Sequence, residues 1–134
     1  MTVEISSLLL AKIRSAVSAA PHLEQCGLLF GDDRRITDMS LAENIADNPA
    51  RHFEINPAHL LAAHRAARAG GPEIIGHWHS HPKGSAEPSV EDARCAAGDG
   101  ALWLIFAGPE ARIWRAIKNG SVHGEFEPLT LAVV

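Results

Sequence analysis

Positive charge is in short supply in this chain: 12 lysines and arginines stand against 16 aspartates and glutamates, a formal net charge of −4 over 134 residues. Nucleic-acid phosphates call for a basic stripe, and none is present, so nucleic acid is excluded as the main partner. Arg65 and Arg68, in the helix expected after Pro57, read as a solvated face. Cysteine is scarce too, with only Cys26 and Cys95. Two cysteines make no disulfide scaffold, and both read as free thiols in a reducing compartment. No apolar run approaches membrane-spanning length, so no membrane helix is expected. Leu8-Leu9-Leu10 precedes Lys12 and Arg14, the wrong order and too short a run for a signal peptide, and the expected location is cytoplasmic. Internal repeats, low-complexity stretches and linkers are missing as well. With 46% hydrophobic and 21% charged residues, the composition is that of an ordinary globular chain. The length fits one domain over residues 1–134 with a single core.

What is present concentrates between Gly76 and Asp92, GHWHSHPKGSAEPSVED, a short run with three histidines, two glutamates and an aspartate. If Glu73 to Ser80 is a strand, His77, His79 and His81 point to one face. Cα atoms two apart on a strand lie roughly 6.7 Å apart and those four apart roughly 13 Å, while zinc–nitrogen bonds are about 2.0–2.1 Å. One ion can therefore take two neighbouring histidines but not all three. A third ligand is on offer in Ser89-Val90-Glu91-Asp92, which follows Pro88 and reads as a helix start with Ser89 as N-cap and Asp92 at N3. Glu91 is the rival to Asp92. Two imidazoles and a carboxylate leave a fourth tetrahedral position for water, the arrangement of a catalytic rather than a structural zinc site.

His79-Ser80-His81-Pro82 followed at this spacing by Ser89-x-x-Asp92 resembles the signature of the JAMM (MPN-plus) metalloproteases. Glu24-Gln-Cys-Gly-Leu-Leu-Phe-Gly31 is similar to that family's glutamate-led strand, and Asn44 to Pro57 to the segment between that strand and the next helix. The resemblance spans roughly Glu24 to Gly108. It implies a JAB/MPN-like fold of cytidine-deaminase-like architecture and one zinc ion per chain held by His79, His81 and Asp92. It further implies Glu24 as general acid/base and Ser89 as the donor to an oxyanion. The activity implied is hydrolysis of a peptide or isopeptide bond. The substrate implied is a ubiquitin-like or sulfur-carrier protein with a Gly-Gly C-terminus. Little chain separates Asp92 from Ala101, leaving no room for the long insertion of some eukaryotic relatives, which points to a minimal prokaryotic-type member.

Read in order, Thr2 to Ile5 is a short strand, and Ser6 or Ser7 caps a helix with Leu9, Leu10, Ile13, Ala16 and Val17 at helical spacing, ending by Pro21. Gln25 to Phe30 and Ile36 to Leu41 form a hairpin about Gly31-Asp32-Asp33. Asn44 to Asn56 is a rim loop holding a strand fragment, Phe53-Glu54-Ile55. A second helix, with Leu60, Leu61, His64 and Ala67 on one face, runs to Gly70-Gly71. Ser89 to Ala97 is a short helix, and Ala101 to Ala107 and Ala111 to Lys118 are strands. Asn119-Gly120 is a hairpin turn signal leading to Val122 to Phe126, with Leu129 to Val134 as an edge strand. The expected fold is mixed α/β, a central and largely antiparallel sheet flanked by about three helices.

Among the remaining residues, His77 reads as a packing residue and Ser80 as a buried hydroxyl supporting the ligand strand. Cys95, one turn past Asp92, is a conceivable thiolate ligand. His22, His52, His59, His64 and His123 are scattered and carry no assigned chemistry, and Trp78, Trp103 and Trp114 read as core. Two other function classes compete. A zinc deaminase needs His-x-Glu and Pro-Cys-x-x-Cys, which the sequence lacks. A non-enzymatic MPN-type interaction module remains the alternative, since relatives of that kind have lost their metal ligands.

Overall fold

The computed structural model describes residues Met1–Val134. Ten elements follow one another: β1 (Thr2–Ile5), α1 (Ser7–Ala19), β2 (Cys26–Gly31), β3 (Arg35–Ala42), α2 (Pro57–Arg68), β4 (Ile74–Ser80), α3 (Val90–Cys95), β5 (Leu102–Ala107), β6 (Glu110–Gly120) and β7 (Gly124–Val133). The strands close into one barrel in the order β1-β3-β2-β4-β5-β6-β7. Four pairings are antiparallel, while β1 with β3, β1 with β7 and β4 with β5 are parallel. The mixed α/β class with three helices is as expected, but the sheet has no free edge.

Ser6 starts α1, its Oγ accepting the Leu9 N–H at 3.0 Å. Leu10 and Ile13 of α1 bury against Val3, Ile5, Leu29, Met39, Trp78 and Leu104. The other side of the sheet is covered in two patches. Leu60 and Ala63 of α2 lie over Cys26, Leu28, Phe30, Ala42 and Ile55. Ala93 and Ala96, in and just after α3, lie over Trp103, Ile105, Trp114 and Phe126. All three tryptophans are core residues, and the indole N–H groups of Trp78 and Trp114 donate to the carbonyls of Ser40 and Ala86.

Several boundaries depart from expectation. The packed side of α2 runs through Leu60, Ala63 and Ala67, and Leu61 is turned to solvent, so the helix rotates away from the face expected. Helix α3 stops at Cys95 because the Ala96 backbone is extended. Phe53 to Ile55 forms a single bridge, Asn44 with Ile55, rather than a strand fragment. Asn119-Gly120 is not the turn. Asn119 does take a positive φ of 64°, but inside β6, where the register with β7 shifts between Ala116 and Gly120. The left-handed residue makes a bulge, and the chain reverses three residues later at Ser121 to His123. Beyond it β7 is one continuous strand to Val133 that pairs with β1 and closes the barrel, so the expected edge strand is an interior one.

The histidine strand sits in the middle of this sheet. Its close approach to β5 requires Gly76, since a Cβ there would lie 2.0 Å from the Leu102 carbonyl oxygen. Gly27 of β2 is required in the same way, because a Cβ would lie 1.7 Å from the Ser40 carbonyl oxygen and 2.6 Å from Trp78 Nε1.

Candidate metal centre

Antiparallel pairing places Cys26 opposite His79 and Leu28 opposite His77. Continued by two residues, that register sets Glu24 opposite His81. The join is made by Ser80, whose N–H donates to the Gln25 carbonyl at 3.0 Å while its Oγ accepts the Gln25 N–H at 2.9 Å. The Glu24 N–H in turn donates to the Pro49 carbonyl at 2.7 Å, so the rim loop is laced to the same point. His81 lies just past β4, held by its N–H to the Phe106 carbonyl at 2.7 Å.

The third side arrives with α3. Ser89 is its N-cap: Oγ accepts the Asp92 N–H at 3.0 Å, and Asp92 Oδ2 accepts the Ser89 N–H at 2.9 Å, a complete capping box. His123, in the turn before β7, faces the Pro88 carbonyl at 3.0 Å and pins the approach to this cap.

Three donor atoms converge as a result. His79 Nε2 and His81 Nε2 are 3.1 Å apart, and each is 3.2 Å from Asp92 Oδ2. Four tetrahedral donors about 2.0–2.1 Å from one zinc-sized ion would stand about 3.3–3.4 Å apart, so this near-equilateral triangle fits a single small cation. Glu24 is beside it: Glu24, His79 and His81 each bring a donor atom within 4.8 Å of the others. Two three-residue sets thus share the histidines, and the Asp92 set is the tighter.

The electrostatics separate the two carboxylates. Burial raises the Glu24 carboxyl to about 7, with the His81 charge opposing and the Asp92 charge adding. Asp92 is also buried, which alone would raise it, but the His79 charge and hydrogen bonds from His79, His81 and the Ser89 amide hold it well below the usual carboxylate range. One carboxylate is therefore kept ionised against the histidines, and the other is poised to exchange a proton near neutrality. Burial lowers the His79 imidazole despite Asp92. For His81, burial is outweighed by Asp92 and by the Ser85 carbonyl, and its pKa is raised. His81 Nδ1 lies 2.7 Å from that carbonyl oxygen, an N–H donor geometry that leaves Nε2 free to face the cluster.

His77 stays outside the donor set. Its ring packs edge-on against Trp103, centroids 4.2 Å apart, and its buried Nδ1 has no partner. Cys95 is exposed and lines a neighbouring cleft with His77. Glu91 contacts Arg94 and His52 rather than the donors.

Some contributors carry no sequence signal of their own. Phe53 stacks on His79, centroids 4.3 Å apart, and closes one side of the ligand ring. Asn44 makes four hydrogen bonds. Its Nδ2 donates to the carbonyls of Glu24 at 2.8 Å and His52 at 2.9 Å, and its Oδ1 accepts the N–H groups of Ala46 and Glu54, each at 3.0 Å. The only hint to it was that Asn44 opens the rim segment. Glu24, His81 and Ser89 open together into a cleft of about 750 Å³, whose walls also include Asn48, Arg51, His52, Lys83 and Glu91.

Comparison with known proteins places the chain in a family. The family model describing prokaryotic homologs of the JAB domain matches residues 6–117. A desampylase of Haloferax volcanii is 30% identical over 127 residues, 93% of this chain and 88% of that one. A desampylase of Pyrococcus furiosus is 31% identical over 89 residues, 66% of this chain and 63% of that one. Among solved structures, a Desulfitobacterium hafniense protein aligns at TM-score 0.82 with 24% identity, covering 100% of this chain and 93% of the other. A JAB1/MPN domain protein from Archaeoglobus fulgidus aligns at TM-score 0.62 with 22% identity, covering 98% and 96%. No helix is long and apolar enough to cross a membrane. The chain belongs to the prokaryotic JAB family, as a minimal isopeptidase of the JAMM type.

Proposed function

We propose that the protein is a zinc-dependent hydrolase that cuts the amide or isopeptide bond after the Gly-Gly tail of a ubiquitin-like or sulfur-carrier protein. In this reading His79, His81 and Asp92 hold the zinc, Glu24 is the general acid/base and Ser89 the oxyanion donor. The observation carrying it is the donor triangle of 3.1–3.2 Å beside a buried carboxyl raised to about 7.

Zinc in such a site supplies Lewis acidity toward a carbonyl and makes a water acidic near neutral pH. The residues do the rest. Glu24 takes a proton from the attacking water and returns it to the departing nitrogen, both at its carboxylate oxygens, which a pKa near the working pH favours. Ser89 Oγ accepts from the Asp92 amide, which leaves its O–H free to donate to the substrate carbonyl oxygen as negative charge develops. Phe53 and the buried His79 ring make the ligand side apolar, which strengthens each of these polar contacts. The two relatives named desampylase support a protein modifier as the acyl side of the substrate.

Zinc content by elemental analysis, wild type beside Asp92→Ala, tests the site. About one zinc per chain, sharply weakened in the variant, is the expected result. Cleavage of a Gly-Gly-linked ubiquitin-fold conjugate by the loaded wild type, lost in Glu24→Gln with zinc retained, is expected for the chemistry. Absence of zinc after loading and dialysis, or unchanged turnover in Glu24→Gln, would overturn it.

A further inference from the structure

Two members of the donor cluster are joined by a segment with no regular structure of its own. Between His81 and the cap of α3, which carries Asp92, residues 82–88 lie in neither helix nor strand. Yet the Ser85 carbonyl of that segment receives the His81 Nδ1 proton at 2.7 Å, and so sets which way the His81 ring turns. A carbonyl on a free loop could not do this, because site residues need to be held to within about 0.5 Å and 10–20°. The loop must be gripped from outside.

The grip comes from β6 and the turn after it. Ala86 is completely buried, among Trp103, Trp114 and Phe126. Its carbonyl accepts the Trp114 indole N–H at 3.0 Å, and its own N–H donates to Glu110 Oε1 at 3.4 Å. Next along, Glu87 accepts from Arg112 Nη1 at 3.1 Å, and the Arg112 guanidinium lies over the Trp114 ring, 4.5 Å from its centroid. The Pro88 carbonyl accepts the His123 Nε2 proton at 3.0 Å. Three consecutive loop residues are thus met from one hairpin. Among these contacts the ion pair of Arg112 and Glu87 is solvated and contributes little. Trp114 is the fixed point: its residue is 1% exposed and is paired with Trp103 of β5 on one side and Pro128 of β7 on the other.

Resting on the reading above in which His79, His81 and Asp92 hold zinc, we propose that Trp114 and His123 are positioning residues for that site. The Trp114 indole N–H fixes the Ala86 carbonyl and, through the adjoining peptide, the Ser85 carbonyl that orients His81. His123 acts at the other end of the loop, where Pro88 leads into the Ser89 cap that aims Asp92. Neither supplies a donor atom to the triangle; each works through one backbone carbonyl. The β6–β7 hairpin is then the template that sets His81 and Asp92 at their spacing. A phenylalanine in place of Trp114 keeps an aromatic ring against Trp103 but has no N–H, so the Ala86 carbonyl is left buried without that partner.

The test measures the zinc affinity of the full chain by competition with a chelator, and beside it the His81 Nδ1–H signal of the zinc-loaded protein by nitrogen-edited NMR. Trp114→Phe is expected to weaken zinc binding at least about tenfold and to lose a slowly exchanging Nδ1–H signal that wild type shows. Trp78→Phe is the control, since it deletes a buried indole bond of the same kind, to the Ser40 carbonyl at 3.1 Å, on the α1 side of the sheet. It is expected to lower the melting temperature by a similar amount and to leave zinc affinity and the His81 signal unchanged. Where Trp114→Phe fails to fold, His123→Asn carries the test: it lies in an exposed turn whose left-handed backbone, φ 53°, asparagine tolerates, and zinc weakened severalfold is expected. Wild-type affinity with an unchanged His81 signal in Trp114→Phe, an equal loss of zinc in Trp78→Phe, or unaltered zinc binding in His123→Asn would overturn the positioning role and leave the zinc site standing. No zinc in wild type would overturn the zinc reading and the positioning role with it.

Discussion

The backbone amide of Ser89 donates, at 2.9 Å, to the same Oδ2 of Asp92 that stands 3.2 Å from His79 Nε2 and from His81 Nε2. A helix cap and a donor cluster therefore share an atom. The cap aims the carboxylate, and the amide hydrogen bond helps keep it ionised while buried. Because α3 has only six residues, its start is held by this box and by His123 on the Pro88 carbonyl rather than by helix length.

Removing the hydroxyl alone separates the two duties of Ser89. Ser89→Ala loses the Oγ that accepts the Asp92 amide, at a cost of about 1 kcal/mol for an N-cap. The Ser89 N–H that aims Asp92 is untouched, so zinc stoichiometry is expected to stay near wild type. With the proposed oxyanion donor gone, kcat is expected to fall about 10²–10³-fold. Elemental analysis beside steady-state kinetics checks both halves, and loss of zinc together with activity would assign Ser89 to the cap alone.

Asn44 is a sharper probe of how Glu24 is positioned. Its Nδ2 joins the Glu24 and His52 carbonyls while its Oδ1 holds two amides of the rim loop. Asn44→Asp keeps the acceptor and removes both donors, leaving two carbonyls facing a carboxylate, and a destabilisation of about 1–3 kcal/mol is expected from the lost bonds. Since Glu24 is held by its backbone here, kcat is expected to drop more than KM rises, with zinc retained. Thermal melts, metal analysis and the kcat-against-KM split test this; a variant with wild-type kcat would show that the Pro49 carbonyl suffices.

Much of the site was legible because it is carried by short-range spacing. His79 and His81 share a strand face, Ser89 and Asp92 a helix turn, and Glu24 precedes an apolar strand by two residues. The contacts that finish it were not legible, since Phe53 on His79, Ser85 on His81 and the four bonds of Asn44 depend on how loops close. The same division holds for the fold. Helices with clear caps at Ser6 and Asn56 were placed well. The β1–β7 closure was not, because a parallel pairing between the two chain ends leaves no local pattern. Asn119-Gly120 misled because a left-handed residue serves a bulge as readily as a turn.

His77 supplies an acid-side prediction. Its ring packs on Trp103 and Phe53, its Nδ1 is sealed without a partner, and burial, with the His79 charge adding, pushes its pKa down to about 3. A lowered histidine means the unfolded chain binds the extra proton, so this contribution to stability is complete above about 6.5 and is lost as pH falls toward 3. His77→Phe removes the titration and keeps an aromatic ring. The metal-free variant is expected to lose less melting temperature than wild type between pH 6.5 and pH 4, and parallel curves would show that His77 is not the titrating group.

Glu24 gives the opposite sign. Its folded pKa of about 7 lies above its ordinary 4.5, so the folded metal-free protein binds the proton more tightly than the unfolded chain. Stability from this group is present below about 4.5 and is lost as pH rises through 7, by up to about 3 kcal/mol if the shift is realised in full. Glu24→Gln has no charge to bury. With the metal removed by chelation, the variant is expected to match wild type near pH 4.5 and to melt several degrees higher at pH 8. On the proposed hydrolase reading zinc reverses the comparison for function, because the carboxylate costly to the metal-free fold is the base proposed to activate water. A variant more stable than wild type at pH 8, still able to hold zinc and unable to hydrolyse, would locate at Glu24 a stability sacrificed for chemistry. Equal melting temperatures at pH 8 would place the raised proton affinity elsewhere in the cluster.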